Sequence, residues 1–205
     1  MLADAHGETL RLAELVEELL LLARADASGD LLPGGAQAVE TAAEERTRSA
    51  PPVELDRAVL QLVRQLRRRL GVEGSKLQLE VGHIEPVRVR GDEESLRRVT
   101  LILLDNAIKY TPIRDEEGAS RVTVSLERSK GQAVLRVRDT GIGIEPADLP
   151  HIFERFYRAD RARSRQGTGL GLSIAQTLVE ELGGRITAES TPGRGSTFSV
   201  WFPLA

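Results

Sequence analysis

Two glycine-rich turns constrain this chain more than any other feature. The first reads Asp-Thr-Gly-Ile-Gly-Ile at residues 139–144, and the second reads Gly-Thr-Gly-Leu-Gly-Leu at residues 167–172. Glycine allows the backbone to turn sharply and to approach another group closely. Both turns are therefore candidate binding loops, and the fold has to accommodate the segment that runs between them.

A strand leads into the first turn. Leu135 and Val137 alternate with Arg136 and Arg138, which predicts a half-buried strand whose inward face also carries Asp139. A buried carboxylate is costly unless hydrogen-bond donors face it. The strand therefore predicts that Asp139 accepts hydrogen bonds at the inner end of a site.

The residues after Asp139 suggest what such a site could bind. Gly141 and Gly143 leave the backbone bare, so a flat ligand could approach closely while the carboxylate accepts a hydrogen bond from an amino group. The N6 amine of adenine fits this description.

The second turn opens a helix. Leu170, Ile174, Leu178 and Leu182 recur at helical spacing, so we predict a helix from about Gly169 to Leu182. Free N–H groups and the positive end of the helix dipole favour an anion at its start.

The segment between the turns is strongly basic. From His151 to Arg165 it carries five arginines and two acidic residues, a local charge of about plus three by simple counting. The whole chain has a formal charge of −3. We therefore expect this segment, from about Pro150 to Gly167, to be a mobile cover for a triphosphate.

Composition excludes several classes of protein. The mildly acidic balance of the 205 residues and the scarcity of aromatic residues argue against a nucleic-acid partner. Zero cysteines exclude disulfides and thiolate metal sites. The longest apolar run, Leu19 to Ala23, is too short to cross a bilayer. We expect a cytoplasmic piece without direct membrane contact, whose parent protein is either free or anchored in the inner membrane.

The chain divides into three predicted parts. Residues 1–25 contain an amphipathic helix whose leucine seam at Leu12, Leu15, Leu19 and Leu22 calls for a partner helix. A helix that packs on its own domain is the alternative. Residues 26–52 are rich in Ala, Gly, Glu and Pro and are predicted to be a linker. Residues 53–205 form the main domain.

The main domain is predicted to be an α/β two-layer sandwich with helices on one face of the sheet. A helix from Leu55 should end at Gly71, and a long helix should run from about Glu93 to Tyr110. Short strands are predicted around residues 77–81 and 87–89. Two hairpins follow, at residues 122–137 and 185–202, which gives a mixed sheet of about five strands with three main helices.

The long helix carries a second group of polar residues. Asn106, Lys109 and Tyr110 share one helical face because they lie at positions i, i+3 and i+4. An amide oxygen suits Mg²⁺ that also binds phosphates, Lys109 can add positive charge, and Tyr110 can stack on a base.

These motifs together resemble those of sensor histidine kinases. Residues 106–112 resemble the N box, 139–144 the G1 box, 153–158 the F box, and 167–172 the G2 box, while 193–198 resemble the last glycine motif. Each motif alone is weak, but five in the right order are specific. Residues 10–26 resemble the second helix of the dimerisation hairpin of the family.

The resemblance implies a Bergerat-type fold that binds ATP and Mg²⁺. Asn106 would hold Mg²⁺ and, with Lys109, serve catalysis, while Asp139 would bind adenine. The remaining binding residues that we expect are Tyr110, Gly141, Gly143, Arg155, Arg158, Gly167, Thr168, Gly169, Leu170 and Gly171. The implied activity is transfer of the ATP γ-phosphate to a histidine on a dimerisation helix for relay to a response regulator.

The phosphoacceptor motif of the family is not in this sequence. Gly7 follows His6 where an acidic residue is expected, so His6 is a poor acceptor, and neither His83 nor His151 lies in such a motif. We therefore expect the chain alone not to autophosphorylate. Its expected partners are the acceptor helix of a homodimeric parent kinase and a response regulator.

Other nucleotide-binding sites fail on particular residues, whereas one alternative function stays open. A Rossmann site fails because Leu172 stands where the third glycine is needed, and no Gly-Lys-Ser/Thr run supports a P-loop. A non-catalytic ATP-binding module of the same fold stays open. Ile102 also departs from the family pattern, in which many members have a second asparagine four residues before Asn106.

Overall fold

A computed structural model describes residues 20, 50–72, 76–113, 120–159 and 168–205. The predicted dimerisation helix and most of the predicted linker therefore lie outside the described residues. In chain order the elements are β1 (Pro52–Glu54), α1 (Leu55–Val72), β2 (Gln78–Ile84), β3 (Arg88–Arg90), α2 (Glu93–Tyr110), β4 (Arg121–Ser129), β5 (Gln132–Asp139), α3 (Gly171–Glu181), β6 (Arg185–Thr191) and β7 (Gly195–Pro203).

The main sheet is mixed and has five strands in the order β2-β4-β5-β7-β6. Only β2 and β4 run parallel, and the other neighbours are antiparallel. The described helices pack against one face of this sheet, which confirms the predicted two-layer sandwich. The short strand predicted at residues 87–89 does not join the sheet, because β3 pairs instead with β1.

Burial of one face of each element holds the layers together. Leu135 and Val137 of β5 are completely buried, as are Val122 and Val124 of β4 and Leu103 of α2. These residues lie at the alternate strand positions and helical spacings that the sequence predicted. The core therefore lies between the sheet and the helices, and β5 runs through its centre.

Two helix ends differ from the prediction. Helix α1 continues through Gly71 to Val72, so Gly71 does not end it. Helix α3 begins at Gly171 rather than Gly169, because Gly169 adopts a φ of +77° that no α-helix contains. The two residues before α3 belong to the turn.

Helix α2 begins where the sequence indicated. The Asp92 carboxylate accepts a hydrogen bond of 2.8 Å from the backbone N–H of Ser95, which caps the first turn. This bond to the ionised form lowers the pKa of Asp92 below its ordinary value. The cap fixes the start of α2, and Asn106 lies about 20 Å further along the helix at a rise of about 1.5 Å per residue.

Two of the glycines outside the turns of the site provide a test of backbone effects on stability. A Cβ atom would meet nothing within 4 Å at either Gly71 or Gly131. Gly71 is helical, whereas Gly131 has a φ of +80° in the β4–β5 turn. We predict that Gly71→Ala raises the free energy of unfolding by about 0.5–1 kcal/mol, whereas Gly131→Ala lowers it by about 1–2 kcal/mol. Urea denaturation measures both, and shifts in the same direction would contradict this account.

Candidate nucleotide-binding site

The Asp139 side chain occupies the inner end of β5, as predicted. It is only 4% exposed and lies in line with the buried Leu135 and Val137. Its Oδ1 atom accepts a hydrogen bond of 2.8 Å from the backbone N–H of Gly141. The backbone N–H of Ser196 also donates to the carboxylate. Two backbone donors thus hold a buried carboxylate at the end of the central strand.

Two opposing effects act on the pKa of the Asp139 carboxyl. Burial is the larger effect and raises the pKa of the carboxyl above its ordinary value, while the N–H groups of Gly141 and Ser196 partly oppose it. An additional hydrogen-bond donor would stabilise the ionised form of a carboxyl group in such a site.

The glycines of the first turn are required by the protein itself. A Cβ on Gly141 would lie 2.4 Å from the Tyr110 carbonyl oxygen, and one on Gly143 would lie 2.2 Å from that of Thr191. Gly143 also has a φ of +68°. Neighbouring backbone therefore occupies the positions that Cβ atoms would take at these glycines. Their role in the approach of a ligand stays a prediction.

The end of α2 packs directly on the first turn. The Tyr110 carbonyl accepts a hydrogen bond of 3.1 Å from the N–H of Ile142. The Lys109 ammonium lies 5.2 Å from the centre of the Tyr110 ring. The hydrogen bond from Ile142 places Lys109 and Tyr110, both predicted site residues, beside the turn that follows Asp139.

Asn106 lies one turn earlier on α2 and is half-buried. Among the described residues, nothing forms a hydrogen bond with its side-chain amide. An amide oxygen without a protein partner fits a site for a hard cation that also keeps water and phosphate ligands. No cluster of three or more His, Cys, Asp or Glu side chains suited to a metal occurs in the described parts of the chain.

The start of α3 lies beside the same helix. A Cβ on Gly171 would be 3.5 Å from Cγ2 of Ile102, and Ile102 precedes Asn106 by one helical turn. Within the described ranges, the N-cap residue Leu170 makes no side-chain capping hydrogen bond. Thr168 instead accepts a hydrogen bond from the Leu170 N–H through its hydroxyl, at 3.2 Å, and so shapes the turn. The start of α3 therefore lies next to Ile102, one helical turn before Asn106.

The F box is anchored to the second glycine turn. The N–H of Phe156 donates to the Gly169 carbonyl at 3.0 Å, and a Cβ on Gly169 would lie 2.9 Å from the Phe156 carbonyl carbon. Phe156 has a φ of +63° and a side chain that is 61% exposed. Gly169 is thus required for this contact between the two motifs.

The predicted triphosphate cover is described only in part. Arg155 is exposed and Arg158 half-buried, while Ile152 is buried against the core. The Tyr157 hydroxyl donates to Asp148 at 2.6 Å. Gly167 and the other residues from 160 to 167 lie outside the described residues, so the predicted mobility of that part stays a prediction.

The histidines make local contacts. His83 lies 3.0 Å from Glu85, and His151 lies 2.6 Å from Glu154. His6 lies outside the described residues. None of the helices in the described ranges combines the length and apolar character that a membrane span requires.

The last glycine motif contributes more than the sequence predicted. Gly195 lies directly on Asp139, since a Cβ there would be 2.0 Å from the Asp139 carbonyl oxygen, and Ser196 supplies an N–H to the carboxylate. The motif was visible in the sequence, but its residues were not assigned to the site. The signal that could have revealed them is the glycine spacing at residues 193–195, next to a strand.

Comparison with known proteins agrees with this geometry. The profile of the histidine kinase-, DNA gyrase B- and HSP90-like ATPase family matches residues 91–205, more than half of the chain. The chain belongs to this family, and its main domain is the catalytic ATP-binding domain of the histidine kinase type.

Individual relatives support the histidine kinase type. The chain is 34% identical over 199 residues to the sensor histidine kinase YkoH of Bacillus subtilis, which covers 96% of this chain and 38% of YkoH. It is 45% identical over 116 residues to the sensor histidine kinase RppB of Synechocystis, covering 56% of this chain and 24% of RppB. The chain thus spans well under half the length of these curated relatives.

Solved structures show the same fold. The mycobacterial sensor histidine kinase MprB matches with a TM-score of 0.64 and 31% identity, over 76% of this chain and 97% of that one. Full-length ShkA in complex with AMPPNP matches with a TM-score of 0.70 and 26% identity, over 95% of this chain and 36% of ShkA.

The burial of Asp139 predicts an effect on stability with a defined sign. A carboxyl whose pKa is raised by folding destabilises the folded state when ionised, and this cost vanishes as the pH falls to the unfolded value near 3.8. We predict that Asp139→Asn increases the free energy of unfolding at pH 7.5 and that the increase shrinks as the pH falls towards about 4.

The matched control is Asp105→Asn. Asp105 is exposed and forms a 3.6 Å ion pair with Arg69, so its substitution should have little effect. Urea denaturation across this pH range provides the measurement. A loss of stability in Asp139→Asn that is independent of pH would contradict the assigned cause.

Proposed function

We propose that this domain binds Mg-ATP between the end of α2, the first glycine turn and the start of α3, and donates the γ-phosphate to a histidine of its parent kinase. The observation that carries the proposal is the buried Asp139 carboxylate, which is held by two backbone donors beside Tyr110 and the first turn. Family membership supports ATP as the ligand.

Asp139 recognises the adenine. One of its oxygens accepts from Gly141, and an ionised carboxylate has capacity for further donors. The adenine N6 amine supplies such a donor at the inner end of the site. Tyr110 stacks on or beside the base, because its backbone adjoins the same turn.

Asn106, Lys109 and the start of α3 bind the phosphates. Asn106, whose side-chain amide has no hydrogen-bond partner in the described parts of the chain, offers its oxygen to Mg²⁺, which would neutralise charge on the phosphate oxygens. Lys109 adds positive charge, and the N–H groups of Gly171 and the residues after it favour an anion. Arg155 and Arg158 contribute further positive charge from the F box, with Thr168, Gly169 and Leu170 shaping the turn.

Transfer requires a histidine in line with the γ-phosphate. Residues 1–25 resemble half of a dimerisation hairpin, so the acceptor helix and the homodimer belong to the parent kinase, and a response regulator receives the phosphoryl group. The boundaries at residues 25 and 52 follow from the sequence. The described β1 begins at Pro52, next to the proposed start of the domain.

Adenine recognition is tested by removing one partner at a time. Asp139→Asn should weaken ATP binding by about 1–3 kcal/mol, because the charged acceptor of the N6 amine is lost. Binding of purine riboside triphosphate, which lacks that amine, should change little. Isothermal titration calorimetry measures both affinities. Equal weakening of both ligands would mean that Asp139 acts on the fold rather than on the amine.

Catalysis is tested by supplying the acceptor. The 205-residue chain should incorporate no acid-labile phosphohistidine from γ-labelled ATP, because none of His6, His83 and His151 lies in an acceptor-like sequence motif. Restoration of an upstream acceptor helix should permit labelling, and Asn106→Asp should abolish it. Asp105→Asn, one residue away on the exposed face of α2, is the matched control and should label normally. A restored protein that binds ATP but never labels would favour the non-catalytic module.

A further inference from the structure

The structure points to a positioning residue that lies outside every motif assigned to the site. We propose that the Ser190 hydroxyl fixes the backbone around Asp139 and thereby sets the affinity for the adenine amine. This inference rests on the proposed function of Asp139. Ser190 would act through that residue, without touching the nucleotide.

Ser190 occupies the same row across the sheet as Asp139. It pairs with Ser196 in the β6–β7 register, and β7 follows β5 with Arg138 opposite Thr197. One residue further in this antiparallel register, Ser196 lies beside Asp139 and donates its N–H to the carboxylate. The row therefore connects Ser190 to Asp139 through one residue.

The Ser190 hydroxyl joins two separate segments. Its Oγ accepts a hydrogen bond of 2.8 Å from the N–H of Ile144, which ends the first glycine turn. It donates to the Gly195 carbonyl at 3.0 Å and lies 2.9 Å from the Ser196 Oγ. Both sides of Asp139 are thus tied to one oxygen atom.

The chemistry of a hydroxyl explains why serine suits this position. A hydroxyl has one donor and two acceptor sites. With its hydrogen directed to Gly195, the two acceptor sites take the N–H of Ile144 and the hydroxyl hydrogen of Ser196. All three sites are then used, and no hydrogen-bonding capacity is left over. An apolar side chain would leave the Ile144 N–H and the Gly195 carbonyl without this partner.

Movement at Gly195 would reach Asp139 directly. The Gly195 α-carbon packs so closely on the Asp139 carbonyl that a Cβ would lie only 2.0 Å from that oxygen. At the other end of the turn, the Ile142 carbonyl accepts from the N–H of Gly193 at 2.8 Å. The first turn and the last glycine motif therefore pack against each other, and the Ser190 hydroxyl forms hydrogen bonds with both.

The test compares two ligands that differ only in the 6-amino group. In the full 205-residue chain, Ser190→Ala should raise the dissociation constant for ATP about tenfold, the effect of one lost hydrogen bond. The dissociation constant for purine riboside triphosphate should stay within about twofold, since Asp139 has no amine to bind in that ligand. Ser190→Thr keeps the hydroxyl and should restore ATP affinity.

The controls separate positioning from general loss of structure. Ser199→Ala removes a buried hydroxyl from the same hairpin, where Ser199 pairs with Thr187 and Arg136, and should leave both affinities unchanged. If Ser190→Ala does not fold, Ser190→Cys keeps the size of the side chain while removing the strong hydrogen bonds, and should show the same selective loss. In an Asp139→Asn background, the change at Ser190 should cost nothing further.

The outcomes distinguish this inference from the proposed function. Wild-type chain that binds both ligands equally would overturn adenine recognition by Asp139, and the Ser190 inference with it. Wild-type chain that prefers ATP, together with a Ser190→Ala variant that keeps the same preference, would overturn the Ser190 inference alone. Equal weakening of both ligands would assign Ser190 a purely structural role, and would also overturn it.

Discussion

The burial of one carboxylate at the end of the central strand is the constraint on which the site depends. Asp139 loses water when β5 enters the core, and among the described residues the backbone N–H groups of Gly141 and Ser196 partly compensate for that loss. Those donors come from the turn after β5 and from the start of β7, so both segments have to close around it. A single buried charge thereby explains why two distant glycine motifs meet.

The same constraint explains the roles of the glycines. We interpreted the bare backbone at Gly141 and Gly143 as room for a ligand, and the structure gives these glycines a second role, because neighbouring carbonyl groups lie where their Cβ atoms would stand. At Gly169, the Phe156 backbone likewise lies where a Cβ atom would stand. The glycines allow segments of the protein to pack closely against each other around Asp139 and at the start of α3. The glycine-rich motifs of this chain therefore allow close packing of the backbone as well as forming the proposed binding loops.

The sequence predicted the fold well where the physical signal is local. Alternation along β5 placed Asp139 inward, and helical spacing gave α2 its correct ends. Interactions between distant segments were not predictable in this way. Ser190 belongs to no local pattern, and it meets Ile144 only because the register of β6 and β7 brings them together. Phe156 has a positive φ, and its N–H likewise meets the carbonyl of Gly169, a residue distant from it in the sequence.

The most direct test of this account is a crystal structure of the chain with a non-hydrolysable ATP analogue and Mg²⁺. The account predicts the adenine N6 atom at hydrogen-bond distance from an Asp139 oxygen, about 2.7–3.2 Å, with the hydrogen bond from Gly141 retained. It also predicts the phosphates between Asn106 and the start of α3. An adenine bound elsewhere, with the Asp139 carboxylate facing only protein, would contradict the central claim.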